Sequence, residues 1–233
     1  MKSARQTPHG RGSPAISAAD FLPPRLTLPA LRAAAEACRG CELYKRATQV
    51  VFSEGPSRAA LMLVGEVPGD QEDKQGRPFV GPAGKLLDDA LEAAGLSRGA
   101  VYLTNAVKHF KWEPRGTRRL HAKPSSREIR ACRPWLEAEI EVVHPRTILC
   151  LGATAAQGLL GRAFRITQHR GELLASPWSA WIVATYHPSA VLRAPEAADR
   201  KRMRELLFQD VQVAAGSLST TPPGAEFANA PRS

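Results

Sequence analysis

Ala60-Leu61-Met62-Leu63-Val64, followed at once by Gly65-Glu66-Val67-Pro68-Gly69, is the stretch whose reading decides the fold. Five consecutive apolar residues closed by turn formers suit a strand buried on both faces, the environment of a parallel sheet. From Pro82 the period changes. Leu86, Leu87, Ala90, Leu91 and Ala94 share one helical face, with Pro82 suited to the first turn and Gly95 to the position past the end. Residues 101–104, 147–151 and 181–185 repeat the strand signal. Ser125 and Glu128 form a capping box that opens a helix to about Val143, and Pro134 inside it predicts a kink or a late start. Further helices are expected at residues 31–37, from Gly152, and over 195–214, with residues 164–175 irregular or a hairpin. Strands alternating with helices predict an α/β protein, a three-layer α/β/α sandwich around a central four-stranded parallel sheet.

In such sheets ligands sit beyond the carboxyl ends of the strands. Those ends are Gly65-Glu66, Asn105, Gly152 and His187-Pro188-Ser189, and three of the four carry reaction-capable polar groups.

The formal charge of +10 is unevenly spread. Residues 1–32 hold five bases against one acid, and residues 106–125 hold six (Lys108, Lys111, Arg115, Arg118, Arg119, Lys123) against Glu113 alone. Phe110 and Trp112 are interleaved with that second group, which ends near His121. A localised basic stretch with aromatics suits a phosphate backbone with unstacked bases, though a solvated charged loop has the same composition. Residues 1–28, rich in Pro, Gly, Ser and Arg, read as a disordered basic arm, and residues 216–233 as a disordered tail, leaving 29–215 as one folded domain. No apolar run is long enough to cross a membrane and no secretory leader pattern is visible, so a cytoplasmic protein is expected; a monomer is expected as well.

Four cysteines occur as Cys38-x2-Cys41 and, much later, Cys132-x17-Cys150. In a reducing compartment a four-thiolate set suits zinc or an iron–sulfur cluster better than disulfides; two buried small residues plus an incidental pair is the third reading.

Gly65-Glu66-x-Pro68-Gly69 with Gly76-Arg77-Pro78-Phe79-Val80-Gly81-Pro82-Ala83-Gly84 resembles the first motif of the iron–sulfur uracil-DNA glycosylases. Thr104-Asn105-Ala106-Val107-Lys108 and His187-Pro188-Ser189 are similar to their second and third motifs. Arg118-Arg119-Leu120-His121 resembles the Lys-Arg-Arg-Ile-His insertion of the X-type branch (UdgX), whose members excise uracil and become covalently bound to the DNA through the loop histidine. The likeness spans about residues 38–214. It implies a uracil-DNA glycosylase-like fold, a 4Fe–4S cluster on Cys38, Cys41, Cys132 and Cys150, and uracil-containing DNA as partner, single strands preferred. Two departures stand out: Val67 replaces the usual Gln of that branch, and Thr117 and Leu120 replace Lys and Ile in the loop.

The resemblance also assigns roles. Phe79 would stack on uracil, and the Asn105 amide would match its O4 and N3–H edge, with Gly65 and Val67 completing the pocket. His187 would donate to O2 as the base leaves. His121, if neutral, would attack C1′ of the oxocarbenium-like sugar, giving an adduct that persists and makes the protein single-turnover. Glu66 would offset charge and take a proton, with Asp70 in support. Lys108, Arg118, Arg119, Ser189 and Arg193 would hold or wedge the DNA. The alternatives are a conventional multiple-turnover glycosylase and a non-catalytic iron–sulfur DNA-binding module.

Overall fold

The structure is a computed structural model and describes residues 16–221. Its central sheet contains β1 (Ser53–Glu54), β2 (Leu61–Gly65), β3 (Tyr102–Asn105), β6 (Thr147–Leu151) and β7 (Trp181–Thr185), in the order β1-β3-β2-β6-β7; β4 (Trp112–Arg115) and β5 (Arg118–His121) form a separate two-stranded hairpin. The four expected parallel strands are present. The sheet gains a fifth, antiparallel member: two-residue β1 pairs Ser53 with Thr104 and covers the outer edge of β3. Two residues carry no readable periodicity, which is why the sequence does not announce it.

Period-two alternation sends each strand's side chains to opposite layers. Met62, Val64, Ile148, Cys150, Ile182 and Ala184 face one core, shared with α1 (Leu28–Glu36), α4 (Ser126–Val143) and α5 (Ala153–Leu160). Leu61, Leu63, Leu103, Leu149, Leu151 and Val183 face the other, which α3 (Pro82–Ala93), α7 (Pro188–Arg193) and α8 (Ala197–Gly216) cover. Short α2 (Asp70–Gln75) follows β2, and α6 (Ile166–His169) lies in the segment expected to be irregular, whose Leu174 bridges to Ile182. The capping box of α4 is present, with Ser125 Oγ accepting from the Glu128 amide at 3.3 Å, and the helix runs unbroken through Pro134.

The folded unit is longer at both ends than the sequence suggests. Ala18 is fully buried, Phe21, Leu22 and Leu26 pack against the core, and Thr27 caps α1, so residues 16–28 belong to the domain and not to an arm. The Ser17–Ala18 backbone leaves no room for a side chain at Gly40, 2.6 Å from a Cβ placed there. At the other end Ser217 hydrogen-bonds Thr147 at 2.7 Å. The remainder of both expected tails lies outside the described residues.

Because β3 and β6 flank β2 on opposite sides, the chain leaves β2 toward one edge of the sheet and returns on its other side. The carboxyl ends of β2 and β6 therefore border the switch point, where doubly wound sheets open a crevice.

Candidate active site

The crevice is built around glycine. A Cβ on Gly65, the last residue of β2, would lie 2.2 Å from Asn105 Oδ1 and 2.7 Å from Phe79 Cζ. Only hydrogen leaves space for both side chains. Asn105 is the register partner of Gly65 at the end of β3; it is 2% exposed, and its side-chain amide makes no hydrogen bond with the described residues. Its donor and acceptor are free at the cavity, where water or a ligand can pair them. Phe79 has φ +54°, a left-handed backbone unusual for an aromatic residue. Arg98 holds that turn by donating to Phe79 O (3.1 Å) and Pro78 O (2.7 Å), and Gly84 passes so close to Phe79 that a Cβ would strike its carbonyl at 1.8 Å.

A cavity of about 310 Å³ results, bordered by Val67, Asp70, Phe79, Asn105, His121, His187, Ser189 and Arg193. Val67 gives it an apolar wall. His187 caps α7 and stacks beside Phe79 at 6.3 Å between ring centroids. Its Nδ1 accepts from the Ser189 amide at 3.1 Å and lies 2.8 Å from Ser189 Oγ. A backbone N–H can only donate, so Nδ1 is the acceptor and the proton of the neutral ring sits on Nε2. Burial first, then Arg193 and His121, push its pKa down to about 4. At neutral pH His187 is thus an uncharged, oriented N–H donor. Gly152 lies 3.2 Å (as Cβ) from His187 Cβ and has φ +93°, so the β6 turn also requires glycine.

Glu66 leaves the end of β2 on the other side and accepts a 2.5 Å hydrogen bond from Thr154 Oγ1 at the start of α5. Thr154 was not singled out from sequence; its position two residues past the β6 terminal glycine was the available signal. Glu66, Lys123, Thr154, His187, Ser189 and Arg193 border a neighbouring space of about 270 Å³.

His121 arrives on the hairpin, whose turn at Gly116 has φ +58°. The segment read as a loop is a ribbon because Trp112–Arg115 pairs with Arg118–His121 in register. His121 keeps an exposed edge, yet burial of the ring lowers its pKa; the Glu66 carboxylate opposes that shift without cancelling it. Arg119 fixes the ribbon. Its guanidinium bonds Asp70 Oδ1 (2.6 and 2.7 Å) and Asp73 Oδ2 (2.6 Å) and packs over Phe110 and Trp112. Asp73 is fully buried and also receives Thr48 N and Oγ1. Burial would raise the Asp70 pKa, but Lys74 and Arg119 outweigh it and hold the carboxyl below its usual range. Asp70 therefore serves the hairpin clamp and not Glu66.

The basic patch shrinks on folding. Lys108 cannot reach a phosphate: it is 0% exposed, ion-paired with equally buried Glu139, and bonded to Thr104 Oγ1 (2.6 Å) and Asn105 O (2.9 Å). Lys111 pairs with Glu128 at 2.9 Å, and Arg119 is committed to its two aspartates. Arg118, Arg115 and Lys123 remain exposed without a carboxylate partner among the described residues, and Arg193 and Leu192 are exposed at the cavity rim.

The cysteines divide three to one. Trp135 Nε1 donates to Cys38 Sγ and the Lys108 amide to Cys132 Sγ, each at 3.3 Å. Burial pushes the Cys132 thiol up to about 12, with Cys41 and Cys38 adding to the rise; burial likewise raises Cys41, and Cys38 adds to it. Cys150 does not join them. It sits near the end of β6, paired on one side with Val64 and on the other with Ala184, and burial alone pushes its thiol to about 12. Its assignment as a metal ligand is corrected accordingly. His109, next to Lys108, is buried at 6% exposure with its pKa lowered to about 4 by burial, Asp73 acting weakly against this. Among the described residues no three His, Cys, Asp or Glu side chains stand preassembled as a metal site.

The switch-point crevice thus brings an asparagine amide without a partner among the described residues, a phenylalanine ring and an oriented neutral histidine to one cavity. Residues 52–212 match the Uracil DNA glycosylase superfamily, and the chain belongs to that family. It is similar to the type-4 uracil-DNA glycosylase of Pyrobaculum aerophilum, 38% identical over 165 residues, 68% of this chain and 81% of the relative. The type-4 uracil-DNA glycosylase of Thermotoga maritima is 36% identical over 178 residues, 76% and 87% of the two chains. The type-5 uracil-DNA glycosylase of Thermus thermophilus is 30% identical over 179 residues, 69% and 78%.

Proposed function

We propose that the protein is a DNA-repair glycosylase that excises uracil, preferentially from single-stranded DNA, and then captures the deoxyribose on His121. The observation that carries this reading is that His121, delivered by the clamped hairpin, borders the same cavity as Phe79, Asn105 and His187. The flipped base stacks on Phe79. Asn105 donates to O4 and accepts from N3–H; cytosine presents the opposite pattern and would leave the buried amide unpaired. As the C1′–N1 bond breaks, its electron pair moves onto uracil, and His187 Nε2–H donates to O2. A ring nitrogen of neutral His121 then contributes its lone pair to C1′, and the N–H proton of the resulting imidazolium passes to Glu66 or to solvent. The product is an N-glycosyl imidazole, stable because its hydrolysis would have to expel an imidazolide anion, a far poorer leaving group than a uracil anion whose charge is spread over two carbonyls.

The resemblance to the iron–sulfur glycosylases supports a 4Fe–4S cluster as a structural element. Cys38, Cys41 and Cys132 fit it as neighbouring sulfurs, two of which already accept N–H bonds; His109, adjacent to the amide that contacts Cys132, is the buried donor placed to supply the fourth position. Brown protein whose absorbance near 400 nm survives Cys150→Ala and is lost on Cys132→Ala supports that set; loss on Cys150→Ala overturns it.

The function is tested on uracil-containing single-stranded DNA by denaturing electrophoresis. A heat- and detergent-stable shift that vanishes in His121→Ala, with alkali-labile abasic product in its place, is the expected result. An adduct that persists in His121→Ala refutes the role of His121, and absence of both adduct and abasic product refutes the glycosylase reading.

A further inference from the structure

A second cavity, about 480 Å³ and larger than the catalytic one, opens between α4 and α5. The chemistry described above does not use it. Ser126, Ile129, Arg130 and Arg133 recur at helical spacing and present one face of α4 to this trough; Leu159 and Trp178 close the far side. Four cations border it: Lys123, Arg130, Arg133 and Arg162. The single acid, Glu137, is bound to Arg133 at 2.7 Å. Lys123, Arg130 and Arg162 are exposed and have no carboxylate partner among the described residues. Trp178 is held rigidly, its Nε1 donating to Leu159 O at 3.1 Å, and the Arg133 guanidinium lies 5.5 Å from its ring centre. The trough adjoins the catalytic centre, because Lys123 and Thr154 border both it and the space that contains Glu66 and His187.

We infer that this trough is a second nucleotide-binding site, which holds the single strand flanking the flipped uridine. Phosphates rest on Lys123, Arg130 and Arg162, and one unstacked base lies against Trp178. Free cations track a backbone and an aromatic face accepts any base, the combination that recognises single strands without regard to sequence. The volume is within the range that encloses a small ligand, so a nucleotide fits. Its position beside the crevice, with Lys123 on both, selects the substrate strand itself as occupant. The inference rests on the uracil-DNA reading for the identity of that strand.

The test uses the full-length protein and the double variant Arg130→Glu/Arg162→Glu. Anisotropy of labelled, uracil-free single strands reads binding, and uracil release from a pentamer reads chemistry. The native protein is expected to bind a strand of about 15 nucleotides roughly 10-fold or more tightly than a pentamer, the scale of one stacked base. The variant should lose that gain. With two phosphate contacts removed, its salt slope should fall by about 1.4, while uracil release from the pentamer is unchanged. Native affinity and salt slope in the variant would overturn the inference, as would equal loss of pentamer chemistry. If neither protein releases uracil yet the length-dependent binding is present and lost in the variant, the trough stands and the uracil reading fails.

Discussion

Replacing Arg119 by alanine should separate base removal from sugar capture. Arg119 makes no contact with Phe79, Asn105 or His187; it ties the hairpin to α2 through Asp70 and Asp73. The Asp70 half is partly solvated, with Lys74 as a second partner, and is worth at most about 0.5 kcal/mol. The Asp73 half matters more, because that carboxylate is fully buried and would keep only the Thr48 bonds. Removing one member of a buried pair costs up to about 3–5 kcal/mol; with Arg119 itself 20% exposed and Asp73 still hydrogen-bonded, about 2 kcal/mol is the appropriate figure. That corresponds to roughly 30-fold in the ratio of docked to undocked hairpin. The buried Phe110 and the Trp112 Nε1 bond to Arg46 O still anchor its base, so adduct formation should fall about 10-fold. Single-turnover assays that follow free uracil and the covalent band in parallel make the measurement. Uracil release should stay near native while alkali-labile product replaces the adduct. Capture at the native rate in Arg119→Ala would refute the clamp, and so would equal loss of release and capture in a protein of native melting temperature.

Three further outcomes follow from the same geometry. Lys108→Met should leave DNA affinity and its salt slope unchanged but lower stability by about 3–5 kcal/mol, because Glu139 is left buried without its cation; urea melts and anisotropy together check this, and a reduced salt slope would contradict it. Gly65→Ala places a Cβ 2.2 Å from Asn105 Oδ1, so uracil release should drop by about 100-fold or more while stability falls by about 1–3 kcal/mol; native release rates in the folded variant would show that Asn105 does not read the base. Depressed histidine pKa values mean the neutral forms persist to lower pH: capture should be flat from about pH 8 down to the ordinary imidazole value of about 6.5 and fall only in more acid solution, as His121 and then His187 gain protons. By the same sign, stability contributed by keeping His187 neutral is complete above about pH 6.5 and is lost as pH falls toward about 4. A capture rate that rises on acidification would require a cationic histidine and contradict the mechanism.

Much of the fold was legible because its strands are buried on both faces. The apolar runs at residues 61–64 and 181–184 reflect that burial, with Gly65 and Thr185 as the last paired residues. What escaped was whatever depends on partners distant in sequence. Lys108 is one of six bases in a row of charges, and nothing local reveals that Glu139, one helix later, takes it into the core. The hairpin was hidden because most of its residues are solvated and the inward-facing ones, such as Arg119, are held by ion pairs, so its alternation is written in charge and not in apolar residues. Cys150 shows the limit of spacing arguments: a thiol in a central strand and one beside other thiols look alike in a list of cysteines, and a histidine such as His109 does not enter that list at all. The short ordered segment at residues 16–28 resembles a disordered arm in composition, and only Phe21, Leu22 and Leu26 packing on the core distinguishes it.

The central claim is that one histidine, delivered by a clamped hairpin, makes the bond to the sugar. Incubating the protein with uracil-containing single-stranded DNA, digesting the DNA to the sugar, and mapping the protein by trypsin and mass spectrometry tests it most directly. Cleavage after Arg119 and Arg127, with Lys123 protected by Pro124, places His121 on its own peptide. The account predicts a deoxyribose-derived mass on that peptide, fragmenting to His121. A modified lysine or carboxylate elsewhere, or unmodified protein beside free abasic DNA, would contradict it.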